Sequence, residues 1–113
     1  MIRGDVYEAA LDPAKGSEQR GRRPVVIVSR DAINQNSSVV VVVPVTGKEN
    51  CTRVYPSQIE IRAGEGGLRK DSVALGEQIR AISKARLAKQ LGHLPVPAMA
   101  KLNAALKIAL DLP

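Results

Sequence analysis

"SVVVVVPVT", residues 38–46, is the strongest strand signal in the chain. Its five consecutive valines are β-branched, and a short apolar run of this kind is typical of a buried strand. Pro44 cannot donate to a sheet ladder, so we expect it near the end or at an edge of the strand. Thr46 follows at the strand end, where a hydroxyl either satisfies a turn or faces a space at the rim of the sheet.

Other strand-like segments surround this one. Most are short, rich in β-branched residues and bounded by turn residues, which predicts a β-rich core. We predict strands at residues 2–11, 24–29, 52–61 (broken at Pro56) and 71–82, a turn or short irregular helix at 31–38, and a turn at 64–67.

The C-terminal part predicts two helices. Ser83 is a good N-cap, and Gly92 is suited to end a short helix. A second helix is predicted from about Pro97 to Leu110. Its apolar side chains share one face, namely Met99, Leu102, Leu106 and Ala109. The predicted fold is therefore α+β, with a small twisted antiparallel sheet or partly closed barrel as its core.

Size and composition indicate a single domain over residues 1–113, with 44% hydrophobic residues and a core built without Phe or Trp. A lone cysteine, Cys51, cannot form an internal disulfide, which fits a reducing compartment. No apolar run approaches the roughly 18 residues of a membrane span, and the first residues, MIRGDVYEA, lack the apolar core of a signal peptide. We therefore expect a cytoplasmic protein that does not bind membranes.

The charge of the chain is unevenly placed. The formal net charge is +6, and residues 78–110 contain bases but no acid. A basic face favours an anionic partner such as RNA, DNA or an acidic peptide. A merely solvated, lysine-rich surface explains the charge equally well.

A second informative segment is the loop "GSEQRGRRP", residues 16–24. It concentrates Arg20, Arg22 and Arg23 immediately before a predicted buried strand. Arginine binds phosphate with a planar fork, and glycine lets a loop approach a ligand closely. In the competing interpretation, the glycines are hinges and the arginines are only solvated. Crowded like charges repel, however, so an anionic ligand would favour this arrangement.

The residues also limit the chemistry. His93 is the only histidine, so RNA cleavage by two histidines cannot occur within one chain. No His, Cys, Asp and Glu cluster has metal-ligand spacing, and no Walker-type loop is present. We therefore expect neither a metal nor a cofactor.

Four segments together resemble the MazF/PemK family, whose members are the toxins of toxin–antitoxin systems. They are RGDVYEAALDP (3–13), GSEQRGRRPVVIVS (16–29), VVVPVTG (41–47) and GGLRKDSVALGEQIRAISKARLAKQLG (66–92). The resemblance implies an SH3-like antiparallel β-barrel with short helices and a C-terminal helix, assembled as a homodimer. It also implies a cognate antitoxin with an acidic, partly disordered tail. The implied activity is metal-independent, sequence-specific cleavage of single-stranded RNA to a 2′,3′-cyclic phosphate and a 5′-hydroxyl.

The resemblance also implies roles for individual residues. Arg23 and Thr46 match the catalytic pair of the family, Glu18 and Gln19 match its motif loop, and Gln78 matches a substrate-contacting position. We expect Arg23 and Thr46 to stabilise phosphoryl oxygens, while Glu18 or water accepts the proton. The residues expected to bind RNA are Ser17, Gln19, Arg20, Gln78 and Arg80.

The chain departs from part of the family. Some PemK-like members have a histidine at the position of Ser17, and an arginine and an aspartate at the positions of Leu75 and Glu77. The alternative acid/base set of those members is therefore mostly missing here. Two other functions stay open: a CcdB-like toxin that binds gyrase without cleaving anything, and an inactive RNA-binding barrel.

Overall fold

The computed structural model describes residues 1–113 and contains seven strands and two helices. In chain order these are β1 (Asp5–Ala10), β2 (Arg22–Ile27), α1 (Asp31–Asn36), β3 (Val39–Gly47), β4 (Gln58–Ile61), β5 (Ser72–Leu75), β6 (Arg80–Ser83), β7 (Leu87–His93) and α2 (Val96–Leu110). All strand pairs are antiparallel. The predicted α+β class, with a C-terminal helix, is confirmed.

Strand β3 is the centre of the sheet, whose order is β4-β5-β3-β2-β1-β7 with β6 also paired to β3. Residues Val39–Val42 pair with β6, and Val45–Gly47 pair with β5. Pro44 lies between these two ladders and pairs only with Val25 of β2. The strand therefore changes partner at a residue that has no N–H to donate, which is where a proline is tolerated.

The segment predicted as one strand over residues 71–82 is two strands. A 3₁₀ turn at Gly76–Gln78 separates β5 from β6. The chain breaks here because β5 and β6 pair with different parts of β3. A side chain does not fit at Gly76, because a Cβ there would lie 2.2 Å from the Ser57 carbonyl oxygen. Glu77 and Gln78 therefore lie in this turn and not in a strand.

The strand predicted at residues 52–61 is shorter than expected. Only β4 is extended, and the residues up to Pro56 form bends and turns. Ile59 and Ile61 are both buried, which agrees with the alternation in the sequence.

The helix predicted after Ser83 is absent, and this prediction was wrong. The Ser83 hydroxyl caps one 3₁₀ turn by accepting a hydrogen bond from the Ala85 N–H at 3.2 Å. The chain then continues as β7, because pairing with β1 satisfies its backbone groups. Gly92 does not end a helix. Gly92 packs against Gly66, and a Cβ added to Gly92 would lie 2.6 Å from the Gly66 backbone.

The C-terminal helix is confirmed and covers the larger of two aliphatic core clusters. Leu102 and Leu106 are buried, as predicted, whereas Met99 and Ala109 are only half-buried. The small residues Ala98 and Ala105 complete the buried face and bring the helix close to the strands. No helix in the structure is both long enough and apolar enough to cross a membrane.

Candidate active site

Arg23 and Thr46 line one cavity of about 470 Å³. Arg23 lies at the start of β2, and Thr46 lies near the end of β3, the neighbouring antiparallel strand. The two residues line the same cavity because the two strands run in opposite directions, so the start of one lies beside the end of the other. Thr46 is only 5% exposed, so the strand fixes its position.

The cavity is rich in positive charge. Arg22, Arg69, Lys70 and Lys89 line it together with Arg23, whereas the one carboxylate in the lining belongs to Glu8. That carboxylate is paired with Arg22, with Nη1 and Oε1 at 3.1 Å. The remaining cations create a site suited to phosphate groups.

Arg23 is oriented through one nitrogen only. Its Nε donates to the Arg20 carbonyl oxygen at 3.1 Å, and its two terminal nitrogens donate to no protein acceptor. A guanidinium held at Nε keeps its outer N–H groups for a ligand. This geometry suits a planar, two-point contact with phosphoryl oxygens.

Thr46 has a partner that the sequence pattern does not indicate. Asn50 Nδ2 donates to Thr46 Oγ1 at 3.1 Å from the 3₁₀ turn Lys48–Asn50 that follows β3. The adjacent Glu49 forms an ion pair with Lys70. The hydrogen bond from Lys70 is the main reason that the pKa of Glu49 lies below its usual value, and the charge of Arg23 adds to this effect.

The sequence signals for these additional residues differ. Arg69 and Lys70 fall inside the GGLRKDS segment, and a basic pair directly before a predicted strand could have identified them. Asn50 carries no such signal, because a polar residue in a polar loop is ordinary. Its contact with Thr46 depends on a turn that the sequence pattern did not reveal.

The residues predicted to bind RNA lie mostly in a second cavity of about 490 Å³. Its lining includes Ser17, Glu18, Gln19, Gln78 and Arg80. Pro44 lines this second cavity and the next residue of β3, Val45, lines the first, so β3 contributes to both cavities.

The structure separates Glu18 from the predicted catalytic pair. Glu18 lines the second cavity, not the cavity of Arg23 and Thr46, and its Oε1 accepts from the Lys15 N–H at 2.6 Å. Arg20 lines neither cavity, and its Nη2 donates to the Gly16 carbonyl oxygen at 2.8 Å. Both side chains therefore shape the loop in this structure.

Gln19 and Gln78 join the loop to the barrel. The Gln19 N–H donates to Gln78 Oε1 at 2.8 Å, and Gln78 Nε2 donates to the Ser17 carbonyl oxygen at 3.2 Å. The side-chain oxygen of Gln19 is buried without a partner. His93 lies outside both cavities, where its Nδ1 contacts Asp5. No three His, Cys, Asp or Glu side chains are grouped as they would be around a metal ion.

Comparison with known proteins places this geometry in context. The family described as "PemK-like, MazF-like toxin of type II toxin-antitoxin system" matches residues 2–110. Endoribonuclease MazF9 of Mycobacterium tuberculosis is 42% identical, covering 99% of this chain and 98% of that protein. Endoribonuclease MazF of Staphylococcus saprophyticus is 46% identical, covering 99% of this chain and 92% of that protein.

Solved structures give the same result. An endoribonuclease from a mycobacterial species, solved in complex with its cognate antitoxin, has a TM-score of 0.81 and 29% identity, covering 100% of this chain and 97% of that one. MazF from Deinococcus radiodurans has a TM-score of 0.82 and 27% identity, covering 98% of this chain and 96% of that one.

Proposed function

Because the chain belongs to the PemK-like, MazF-like toxin family of type II toxin–antitoxin systems, we propose that the cavity of Arg23 and Thr46 is its catalytic centre. The chain is an endoribonuclease toxin, and both the resemblance in its sequence and the expected fold are confirmed. The gyrase-binding alternative gains no support, because the relatives at 42% and 46% identity are endoribonucleases.

The proposed reaction breaks one RNA phosphodiester bond without a cofactor. The ribose 2′-oxygen attacks the phosphorus atom, the bond from phosphorus to the 5′-oxygen breaks, and the departing oxygen takes up a proton. The products are a 2′,3′-cyclic phosphate and a 5′-hydroxyl. DNA lacks the 2′-hydroxyl and is therefore not cut.

Arg23 and Thr46 supply charge stabilisation in this reaction. The observation that carries the proposal is that the unpartnered terminal nitrogens of Arg23 and the Thr46 hydroxyl belong to one cationic cavity. Fixed donors of this kind offset the negative charge that builds up on the phosphoryl oxygens. A guanidinium does not lose its proton at neutral pH, so Arg23 is not the base.

Water is the proton acceptor that the geometry favours. Glu18 was the other possibility, but its carboxylate lies at the neighbouring cavity and accepts a hydrogen bond from the loop backbone. We propose that Glu18 acts on RNA through the shape of this loop. An unchanged cleavage rate in Glu18→Gln would agree with this role.

The second cavity is proposed to hold the nucleotides next to the cut. Ser17, Gln19, Gln78 and Arg80 line it and offer hydroxyl, amide and guanidinium groups to bases and phosphates. Arg20 lies on the same loop and is proposed to contact the RNA backbone from the rim. We propose that the lining cations of the first cavity bind flanking phosphates.

A homodimer is proposed to form through the exposed apolar side chains at the end of α2. Leu110 is 48% exposed and Leu112 is 56% exposed, and both line an apolar groove together with Ile33.

We propose that the cognate antitoxin binds the basic surface through an acidic, partly disordered tail. A solved mycobacterial endoribonuclease in complex with its cognate antitoxin supports an antitoxin as the partner. The cytoplasm is the proposed location, because a single cysteine fits a reducing compartment.

The experiment that tests this function uses end-labelled single-stranded RNA of mixed sequence and DNA of the same sequence, both in excess chelator. Wild type should cut RNA to fragments with a 5′-hydroxyl and leave DNA intact. Arg23→Ala should remain folded but lose cleavage by about 100-fold or more. Equal cleavage by Arg23→Ala and wild type would place the catalytic centre elsewhere.

A further inference from the structure

We infer that Asn50 is a positioning residue for RNA cleavage, and that it acts by orienting the hydroxyl of Thr46. This inference rests on the proposed role of Thr46. It begins from the hydrogen bond in which Asn50 Nδ2 donates to Thr46 Oγ1 at 3.1 Å. Asn50 belongs to the turn after β3 and does not line the cavity itself.

The direction of this hydrogen bond determines what the Thr46 hydroxyl can do. A threonine hydroxyl carries one hydrogen and two lone pairs. The Asn50 amide takes one lone pair, so the hydrogen must point elsewhere, and no protein acceptor receives it. Thr46 lines the cavity, so the hydrogen is available to a phosphoryl oxygen that enters. Accepting one hydrogen bond also strengthens the bond that the hydroxyl donates.

The turn that carries Asn50 is anchored at its first residue. The Lys48 N–H donates to the Asp71 carbonyl oxygen at 2.9 Å, and the Lys48 ammonium lies 2.9 Å from Glu60 Oε1. These contacts fix the turn to the connection before β5 and to β4. The hydrogen bond that the Lys48 ammonium donates to Glu60 Oε1 raises the pKa of Lys48 above its usual value, and the charge of Glu60 adds to the effect.

The second residue of the turn has a separate anchor. The Glu49 carboxylate pairs with Lys70 and lies against Gly47, where an added Cβ would come within 2.3 Å of Glu49 Oε1. The turn is thus held by contacts of its first two residues, Lys48 and Glu49, which precede Asn50. A donor on a held turn reaches Thr46 without reorganising during the reaction, which is the condition for an effective positioning residue.

Two substitutions have distinct expected effects. Asn50→Ala removes the donor and lets the Thr46 hydroxyl rotate, which should slow cleavage about 5- to 10-fold at saturating protein. Asn50→Asp replaces a donor with an acceptor that draws the Thr46 hydrogen away from the phosphate. Its cleavage should therefore be slower than that of Asn50→Ala.

The test is a double-mutant cycle under single-turnover conditions with protein in excess. The substrate is an end-labelled RNA oligonucleotide that wild type cuts, chosen from single-stranded RNA of mixed sequence. Wild type, Asn50→Ala, Thr46→Val and the double variant are compared. Affinity is measured separately on the same oligonucleotide with a 2′-deoxyribose at the cut position. Asn36→Ala is the matched control, because Asn36 is an exposed asparagine on α1 whose amide contacts only the Ala32 carbonyl oxygen.

The inference predicts a loss of rate in Asn50→Ala with unchanged affinity, and no further loss when Thr46 is already valine. An equal loss in both backgrounds would show that Asn50 acts independently of Thr46 and would overturn the inference. So would an unchanged rate in Asn50→Ala beside a strong loss in Thr46→Val, a result that leaves the proposed function intact. Wild-type cleavage by Thr46→Val would instead overturn the catalytic role of Thr46 itself. Thermal unfolding of each variant shows whether the fold is retained.

Discussion

His93 Nδ1 lies 2.8 Å from Asp5 Oδ1, so the last residue of β7 is joined to the first residue of β1. The two residues are also backbone partners in the antiparallel ladder. Asp5 is 5% exposed, and its second oxygen accepts from the Ile2 N–H at 2.9 Å. One buried carboxylate thus fixes the N-terminal residues and the end of β7.

Replacing Asp5 should weaken this junction. Asp5→Ala removes the acceptor for both donors, and we expect the free energy of unfolding to fall by about 1–3 kcal/mol. Urea unfolding followed by circular dichroism measures the change. Asp111→Asn is the control, since Asp111 is exposed and adopts the left-handed conformation that asparagine tolerates. A full effect in the control, or none in Asp5→Ala, would contradict the assignment.

A second prediction concerns two glycines with similar backbones and different surroundings. Gly64 has φ +95° with nothing near its missing side chain, whereas Gly67 has φ +76° and a Cβ there would lie 1.9 Å from the Leu91 carbonyl oxygen. Gly64→Ala should cost about 1–2 kcal/mol through backbone strain alone. Gly67→Ala should cost clearly more, because β7 would have to move. Similar unfolding free energies for the two variants would show that the close approach is not needed.

A third prediction tests the proposed dimer. Leu110→Glu places a charge in the exposed apolar groove near the end of α2, and a carboxylate buried without a partner opposes association. Sedimentation velocity should show a dimer for wild type and a monomer for Leu110→Glu. Val96→Glu, at the other end of α2 and 82% exposed, should remain dimeric. A wild-type protein that stays monomeric at high concentration would contradict the proposed dimer.

The ion pair between Glu49 and Lys70 should be visible in a titration. The pKa of Glu49 is lowered mainly by its hydrogen bond from Lys70, so in Lys70→Met it should return towards 4.5. The lowered pKa means that the stabilisation is present above pH 4.5 and is lost as the pH falls through the pKa of the folded state. Carbon-13 NMR of the Glu49 carboxyl group measures the shift. Lys48→Met, which removes the partner of Glu60, should leave the Glu49 pKa low.

A fifth prediction concerns the anchoring of the loop by Gln78. Gln78→Ala removes the acceptor for the Gln19 N–H and the donor to the Ser17 carbonyl oxygen. Trypsin should then cleave the loop after Lys15 or Arg20 about 5-fold faster, since the folded loop opens more often. Gln90→Ala is a suitable control, because Gln90 is exposed on β7 and its side chain hydrogen-bonds only to the Gly92 carbonyl oxygen. Equal cleavage in both variants would argue that other contacts hold the loop.

The elements predicted correctly were those whose own composition determines their state. Strands β2 and β3 are runs of β-branched residues, and α2 repeats its apolar residues at helical spacing. The segment that became β7 has weak periodicity, and its cap at Ser83 is real but serves a single turn. Pairing with β1, which lies far away in the sequence, decides its conformation, and no local signal reports that partner.

In the candidate site, too, some residues were predictable from local sequence and others depend on contacts with distant parts of the chain. Arg23 and Thr46 share a cavity because they lie on paired strands that the sequence already indicated. Glu18 is close to Arg23 in sequence but lines the second cavity, where its carboxylate accepts a hydrogen bond from the Lys15 N–H. Asn50 reaches Thr46 because a 3₁₀ turn follows β3. A polar residue in a loop sequence does not predict such a contact.

The pairing of β1 with β7 has a consequence for synthesis on the ribosome. The first strand to emerge has two partners, β2 and β7, and the second of these is among the last strands to be made. The hairpin of β1 and β2 can form early, but one edge of β1 stays open until residue 93 has left the exit tunnel. Closure of the barrel, and with it a fully folded toxin, is delayed until nearly the whole chain is available.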